Sequence, residues 1–346
     1  MAEMRLKKLP AAVLPWYKAN RRQLPWRQDR EPYHVWLSEI MLQQTRVEAV
    51  RGYYKRFLEV LPTVADLANC DDDVLHKLWE GLGYYSRVRN LKKAAQVVME
   101  RYGGEFPGEY EKVLALPGIG EYTAGAICSI CFDQKTPAVD GNVLRVISRI
   151  TDDRTPVDLP AYKKQVQQAL SLVYPPEAGD FTQGLMELGA TVCGPNRKPD
   201  CVHCPCREFC LGAQRGTAEA LPVKSPKKGR RVEERTVLIL SCQGQYALVR
   251  RQDSGLLAGL WQFPDVVGKL NAQQATDAAQ AMGLKPRQIL RQTERRHIFT
   301  HIQWEMTGYY LEVEEPAGDL VWLTAQQIEQ QAALPTAYRQ FWQETL

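Results

Sequence analysis

From about Pro10 to Ala190 apolar residues recur every three or four positions, the spacing that lines one face of a helix. Pro and Gly interrupt the pattern at Pro62, Gly81/Gly83, Gly103/Gly104, Pro117 and Pro175/Pro176, so the stretch predicts helix after helix joined by short corners. Beyond Arg235 the period falls to two. Thr236–Ser241 and Tyr246–Arg251 flank Gln243-Gly244 and predict a hairpin, with further strands expected near Ile298–Glu305 and Gly308–Val313. An amphipathic helix from about Ala272 to Met282, closed by Gly283, is expected in the same region. Between the two regimes, Gly212–Arg235 holds Pro222, Pro226, Gly229 and the basic group Lys227-Lys228-Gly229-Arg230-Arg231, the composition of an exposed linker. The expected fold class is a mainly α N-terminal region joined by a linker to a separate α+β domain.

Composition narrows this picture in three ways. At 346 residues the chain can bury the cores of two or three domains. A net charge of +4 permits nucleic-acid binding without demanding it. No long apolar run is present and Met1–Pro10 lacks the apolar centre of a signal peptide, so a cytoplasmic chain is expected rather than a secreted or membrane-spanning one. Of nine cysteines, five fall between Cys193 and Cys210, and in an intracellular chain they read as thiols and metal ligands rather than as a disulfide framework.

Candidate chemistry begins at Leu116-Pro117-Gly118-Ile119-Gly120, which closes a helix over Tyr110–Leu116 and opens another from Glu121 to about Phe132. Gly118 and Gly120 leave the main chain uncluttered, and the free N–H groups of the second helix offer a seat for a phosphate. On residues alone the same turn also reads as a plain tight corner. Asp140 follows a Pro-Ala-Val run at the mouth of a helix over Val143–Ile150, where it reads as an N-cap or as a catalytic carboxylate. Glu39 lies on a helical stretch whose neighbours Val35, Trp36 and Leu42 form an apolar stripe. Desolvation there favours the protonated form that a general acid needs, although a half-covered surface glutamate has the same spacing.

The cysteines Cys193, Cys201, Cys204 and Cys210 are separated by seven, two and five residues, and four thiolates so close together need a metal. Zinc sites built from four cysteines usually carry two C-x-x-C knuckles and only one is present, so the spacing leaves zinc and iron–sulfur open.

Leu-Pro-Gly-Ile-Gly followed by Val-Asp-Gly-Asn resembles the helix-hairpin-helix–Gly/Pro–Asp superfamily of DNA glycosylases. With Ser38-Glu39-Ile40-Met41-Leu42-Gln43-Gln44-Thr45, the chain resembles the MutY-type adenine DNA glycosylases over essentially its whole length. The resemblance implies a six-helix barrel with the hairpin at 27–133, an iron–sulfur cluster domain from 1–26 and 134–211, a linker at 212–233, and a Nudix-like domain at 234–346. It implies that Glu39 protonates adenine N7 while Asp140 stabilises the sugar cation, the division of labour of paired-carboxylate glycoside hydrolysis. Asn142 and Tyr122 match positions that orient Asp140 and contact the reacting nucleotide. In the related endonuclease III-type glycosylase/lyases the position of Tyr122 is a lysine; a phenol forms no imine, so a monofunctional enzyme is expected. Trp26 and Arg27 resemble the adenine-pocket segment. Gln43-Gln44 and the Gly81–Arg87 turn with Leu82 and Tyr84 are candidates for the wedge that replaces an extruded base, and Arg87, Arg89, Lys92 and Lys93 can meet phosphates. On residues alone the tyrosine pair also reads as core packing; the resemblance implies that Gln44 and Tyr84 enter the DNA stack near 8-oxoguanine.

The family's cysteine spacing is six, two and five and carries a 4Fe–4S cluster, so the resemblance implies that cluster as cofactor. Here the first loop has one residue more, with Arg197 and Lys198 implied to run along DNA, and Cys206 and His203 are surplus. Phe299-Thr300-His301 resembles the Phe-Ser-His turn that distinguishes 8-oxoguanine, with threonine for serine. The helix expected to carry the magnesium-binding glutamates of a Nudix hydrolase has only Asp277, so a recognition module is expected there. The implied partner is double-stranded DNA with adenine opposite 8-oxoguanine or guanine, bound by a monomer. Three rivals stand beside this reading: an endonuclease III-like pyrimidine glycosylase/lyase, a non-catalytic DNA-binding cluster protein, and a Nudix hydrolase.

Overall fold

Helices dominate the first 215 residues because each apolar stripe finds a neighbour to cover it. The computed structural model describes residues 2–195, 198–226 and 229–345. In chain order the helices are α1 (Ala2–Leu6), α2 (Leu9–Asn20), α3 (Pro32–Leu42), α4 (Val47–Val60), α5 (Val64–Asn69), α6 (Asp72–Trp79) and α7 (Ser86–Tyr102). They continue as α8 (Tyr110–Leu114), α9 (Glu121–Phe132), α10 (Gly141–Thr151), α11 (Pro160–Ser171), α12 (Ala178–Thr191) and α13 (Leu211–Arg215). Among the described residues no helix is long and apolar enough to cross a membrane.

The chain divides into two compact units, Met1–Asn69 with Asn90–Lys227, and Cys70–Arg89 with Lys228–Leu346. The stretch 70–89, expected within the 27–133 barrel, thus groups with the C-terminal residues. Polar ties explain it: Arg250 pairs with Asp73 at 3.1 Å, Arg339 with Glu80 at 2.8 Å, and Lys77 donates to the Ala332 carbonyl at 3.2 Å.

In the first unit α9 is apolar almost all round and buried from Thr123 to Ile130, the pattern of a central helix. It packs against α3, whose residues Val35–Met41 are all buried, and against α12. The segment leading to Asp140 crosses α9 so closely that a side chain at Gly125 would meet the Pro137 carbonyl oxygen at 2.5 Å. Likewise a Cβ at Gly189 of α12 would meet Asn142 at 2.6 Å. These two approaches fix where α10 starts. The 212–233 stretch, expected as a linker, is largely folded onto this unit: Ala218 and Leu221 are buried, and Ser225 donates its N–H to Asp158 at 2.8 Å. Lys227 and Lys228 of the basic group lie outside the described residues, as does Arg197 of the cysteine loop.

The second unit holds a mixed sheet. Its strands are β1 (Arg231–Cys242), β2 (Gln245–Arg250), β3 (Trp261–Gln262), β4 (Asp265–Val267), β5 (Pro286–Ile298), β6 (Ile302–Val313) and β7 (Val321–Thr324), with α14 (Ala272–Ala281), α15 (Ala325–Gln331) and α16 (Thr336–Trp342). The order β3-β2-β1-β6-β5 pairs β1 with β6 in parallel, while β4 adds to β1 and β7 to β2. Alternate residues of β1 enter two cores: Val237 and Ile239 pack with α16, Leu238 and Leu240 with α14. That double burial explains the continuous apolar run read there. The expected strands near 298–305 and 308–313 are corrected to one strand, β6, paired along its length with a polar edge strand, β5. β5 carries no apolar alternation because one edge and much of its surface face solvent, so backbone pairing alone defines it.

Candidate functional site

The first constellation forms where α3, α9 and the start of α10 meet in the first unit. Glu39 is 6% exposed, and the Tyr122 hydroxyl donates to its Oε2. Burial pushes the Glu39 carboxyl up to about 7; the Tyr122 hydrogen bond opposes that rise and the charge of Asp140 adds to it. The Tyr122 phenol is itself driven well above its ordinary range, first by burial and then by the charges of Glu39 and Asp140. The three groups therefore sit within one another's electrostatic reach, although their positions span residues 39 to 140.

Asp140 is the N-cap of α10. Its Oδ1 accepts the Val143 N–H at 2.7 Å and its Oδ2 accepts the Asn142 amide at 2.7 Å. Burial raises its pKa, while those two hydrogen bonds favour the anion. Asn142 is held in turn: its Oδ1 accepts from Arg145 Nη2 at 2.8 Å. The N-cap reading is thus observed, and capping leaves the Asp140 carboxylate within electrostatic reach of Glu39 and Tyr122.

Arg145 and Glu187 are the residues that sequence reasoning missed. Arg145, 6% exposed, donates to Asn142, to the Gly189 carbonyl at 2.8 Å and to the Cys193 carbonyl at 2.8 Å. Glu187, 1% exposed, accepts Arg22 Nε at 2.7 Å and Arg27 Nη2 at 2.9 Å. Burial alone would raise the Glu187 pKa, but hydrogen bonds and charge from Arg22 and Arg27 hold it down at about 2. The available signal for Glu187 was a lone charged side chain in the otherwise uncharged stretch Phe181–Thr191 of α12. Arg27, whose charge reaches Glu39, is oriented by this buried ion pair, and Trp26 is buried edge-on to Tyr54 at 5.5 Å.

At the hairpin, Gly118 has φ +75°, and a Cβ there would meet Asn90 at 2.5 Å, so a glycine is required. Gly120 needs no special backbone angle. As the N-cap of α9 it is extended, with φ −103°, and its contribution is the open space above the helix start. Gln43 donates to Thr123 Oγ1 at 3.4 Å, whereas Gln44 is exposed with φ 60°. Tyr84 is likewise non-glycine at φ 47° and 47% exposed. Asp133 and Asp152, at similar angles, are helix C-caps and Gln243 lies in the turn between β1 and β2, while Gln44, Tyr84 and Leu257 hold the same costly conformation outside such caps; the first two of these are the wedge candidates.

A second constellation lies wholly within the second unit. A cleft of about 420 Å³ is lined by Tyr84, Arg89, Leu257, His297, Phe299, Thr300 and His301. The Tyr84 hydroxyl and Thr300 Oγ1 are 3.3 Å apart, and Phe299 packs edge-on to His297 and Trp304. The Phe299 N–H closes the turn on the Ile302 carbonyl at 2.8 Å, leaving Thr300 and His301 exposed. Arg87, expected to meet phosphates, instead folds inward: it donates to the Leu82 and Gly83 carbonyls at 3.1 Å and stacks over Trp79. Burial lowers its pKa to about 10. Arg89 similarly donates to the Ala258 carbonyl, and Leu82 is a core side chain, 7% exposed. These residues shape the turn that presents Tyr84.

Cys193, Cys201, Cys204, Cys206 and Cys210 line one pocket in the first unit. Arg149 donates to Cys193 Sγ at 3.1 Å, and the Cys210 thiol donates to the Arg149 carbonyl at 3.3 Å. The donor set, sulfur-rich with a guanidinium aimed at one sulfur, fits a thiolate-bound metal group. All five are free thiols, and no three His, Cys, Asp or Glu side chains among the described residues are drawn together as a metal-holding group. His203 pairs with Asp200 at 2.9 Å.

Residues 37–175 match the family of HhH-GPD superfamily base excision DNA repair proteins, and residues 235–344 match the NUDIX domain. The chain is 36% identical to the adenine DNA glycosylase of Rattus norvegicus, across 94% of this chain and 76% of that protein. It is also 36% identical to the adenine DNA glycosylase of Homo sapiens, across 95% of this chain and 72% of that protein. A solved thermostable thymine-DNA glycosylase superposes with a TM-score of 0.55 at 29% identity, covering 61% of this chain and 98% of that one.

Proposed function

The chain belongs to the adenine DNA glycosylase family, and we propose that it hydrolyses the N-glycosidic bond of adenine paired with 8-oxoguanine or guanine in duplex DNA. The observation that carries this reading is the buried Glu39, poised at about 7 against Tyr122 and Asp140. A carboxyl with that pKa is half protonated near neutrality and can give its proton to N7 of an extruded adenine. Loss of the base leaves positive charge on the sugar, and Asp140, whose anion is favoured by the Val143 N–H and Asn142, stabilises it. Tyr122 positions Glu39 through its hydroxyl and, lacking an amine, supports hydrolysis without strand cleavage.

Recognition of the opposite base is assigned to the second unit. A nucleobase entering the Tyr84–Thr300 cleft meets a stacking phenol and two hydrogen-bonding side chains, Thr300 and His301. Cys193, Cys201, Cys204 and Cys210 would hold a 4Fe–4S cluster, supported by their shared pocket and by the Arg149 donor to Cys193. When bound, such a cluster supplies a cross-link that would close the Cys193–Cys210 loop on itself.

A duplex with adenine opposite 8-oxoguanine, incubated with the protein and then treated with alkali, tests the reading. Strand breaks are expected only after alkali and are expected to vanish with Asp140→Asn. Breaks without alkali would establish a lyase, and breaks surviving Asp140→Asn would remove that carboxylate from the mechanism.

A further inference from the structure

The cysteine pocket holds one thiol more than a four-thiolate cluster uses. Cys206 is 1% exposed, whereas Cys201 and Cys204 are only half-buried, and it lines the same cavity as Cys193, Cys201, Cys204 and Cys210. The local chain path puts it there. The Arg207 N–H bonds the Cys204 carbonyl at 3.1 Å and the Phe209 N–H bonds the Cys206 carbonyl at 3.2 Å. These successive turns bring two thiols, separated by Pro205 alone, onto one wall. An aliphatic residue would fill that core position as well, so packing alone gives no reason for a fifth sulfur in the lining of this cavity.

We infer that Cys206 is an exchange ligand, able to take the place of Cys204 on the iron of the cluster proposed above, on which this inference rests. In the exchange the iron–sulfur bond to Cys204 breaks as the bond to Cys206 forms. The proton that Cys206 gives up ends on the departing Cys204 sulfur, and no electron is transferred. Cys204 occupies the outer, half-buried side, where oxidants arrive first, and Cys206 the sealed inner side. A transient loss of the outer ligand is thereby covered without release of iron.

Iron and acid-labile sulfide per chain, measured on the purified full-length protein, decide the matter for the wild type, Cys204→Ser, Cys206→Ser, the double variant and Cys210→Ser. Each of the first two single variants is expected to keep most of its iron, and the double variant and Cys210→Ser to lose it. A Cys204→Ser protein as bare as the double variant overturns the exchange, as does a bare Cys206→Ser. A wild-type chain without iron overturns the cluster reading itself, and is told apart because it shows in the unsubstituted protein. Cys206→Ser, which retains all four proposed ligands, provides a second measure: after mild peroxide treatment it should release iron to a ferrous chelator several-fold faster than wild type. Equal release rates overturn the inference, whatever the folding of Cys204→Ser.

Discussion

Glu39→Gln should stabilise the folded protein at alkaline pH while removing its activity, and the size of that gain follows from the site. Burial raises the Glu39 carboxyl from 4.5 to about 7. Below pH 4.5 the folded and unfolded chains both hold the proton and glutamate costs nothing relative to glutamine. Between 4.5 and 7 the unfolded chain releases its proton while the folded one keeps it, so stability falls as the pH rises. Above about 7 the full cost is present, about 3 kcal/mol at 1.36 kcal/mol per pH unit. Glutamine has the same shape, can still accept from Tyr122, and does not titrate. Urea unfolding of the helical unit at a series of pH values should therefore show the variant gaining about 3 kcal/mol over wild type between pH 4.5 and pH 8. Single-turnover adenine release should fall by about 100- to 10,000-fold, the usual contribution of a general acid. A stability difference that stays flat across that pH range would refute the claim that Glu39 is held protonated by its surroundings.

Other parts of the structure make equally definite claims. Glu187→Ala leaves Arg22 and Arg27 facing an empty acceptor site and should cost about 3 kcal/mol in urea unfolding; a cost below about 1 kcal/mol would show that the pair is not structural. Gln44→Gly removes a side chain from a left-handed position and should raise thermal stability by about 0.5–1 kcal/mol while weakening duplex binding in a gel-shift assay. No gain in stability would mean that the position is unstrained. Thr300→Val keeps the shape of the turn but loses the hydroxyl beside Tyr84. It should lower the preference for 8-oxoguanine over guanine by about 5- to 10-fold, one hydrogen bond's worth. An unchanged ratio of single-turnover rates would take Thr300 out of recognition.

The sequence made some of this site legible because certain residues leave a local signature. Pro117 and Gly118 announce the hairpin, and the apolar neighbours of Glu39 announce its burial. Strand β1 was visible because both of its faces are covered. Its edge partner β5 was not, since Arg287, Gln288, Arg291 and Gln292 carry no apolar period and only main-chain pairing to β6 defines them. Nor could periodicity show that residues 70–89 group with the C-terminal domain, because long-range ion pairs such as Arg339 with Glu80 have no local trace. Arg87 is the plainest case. A basic residue beside a Gly-Leu-Gly turn reads as a phosphate contact, yet its Nη2 donates to the Leu82 and Gly83 carbonyls of that turn. Arg145 was hidden for the opposite reason, since one arginine in an amphipathic helix ordinarily points to water.

Arg145 also sets an order of assembly. It reaches Asn142 three residues back, Gly189 on α12, and the carbonyl of Cys193, which follows it by 48 positions. A guanidinium can serve these acceptors at once because its N–H groups fan out in a plane, whereas a lysine ammonium is a single point. During synthesis Asp140 therefore emerges long before its setting is finished. The last brace arrives only when the chain has reached Cys193 and doubled back onto α10, so the setting of Asp140 is completed late, by polypeptide more than fifty positions downstream of it.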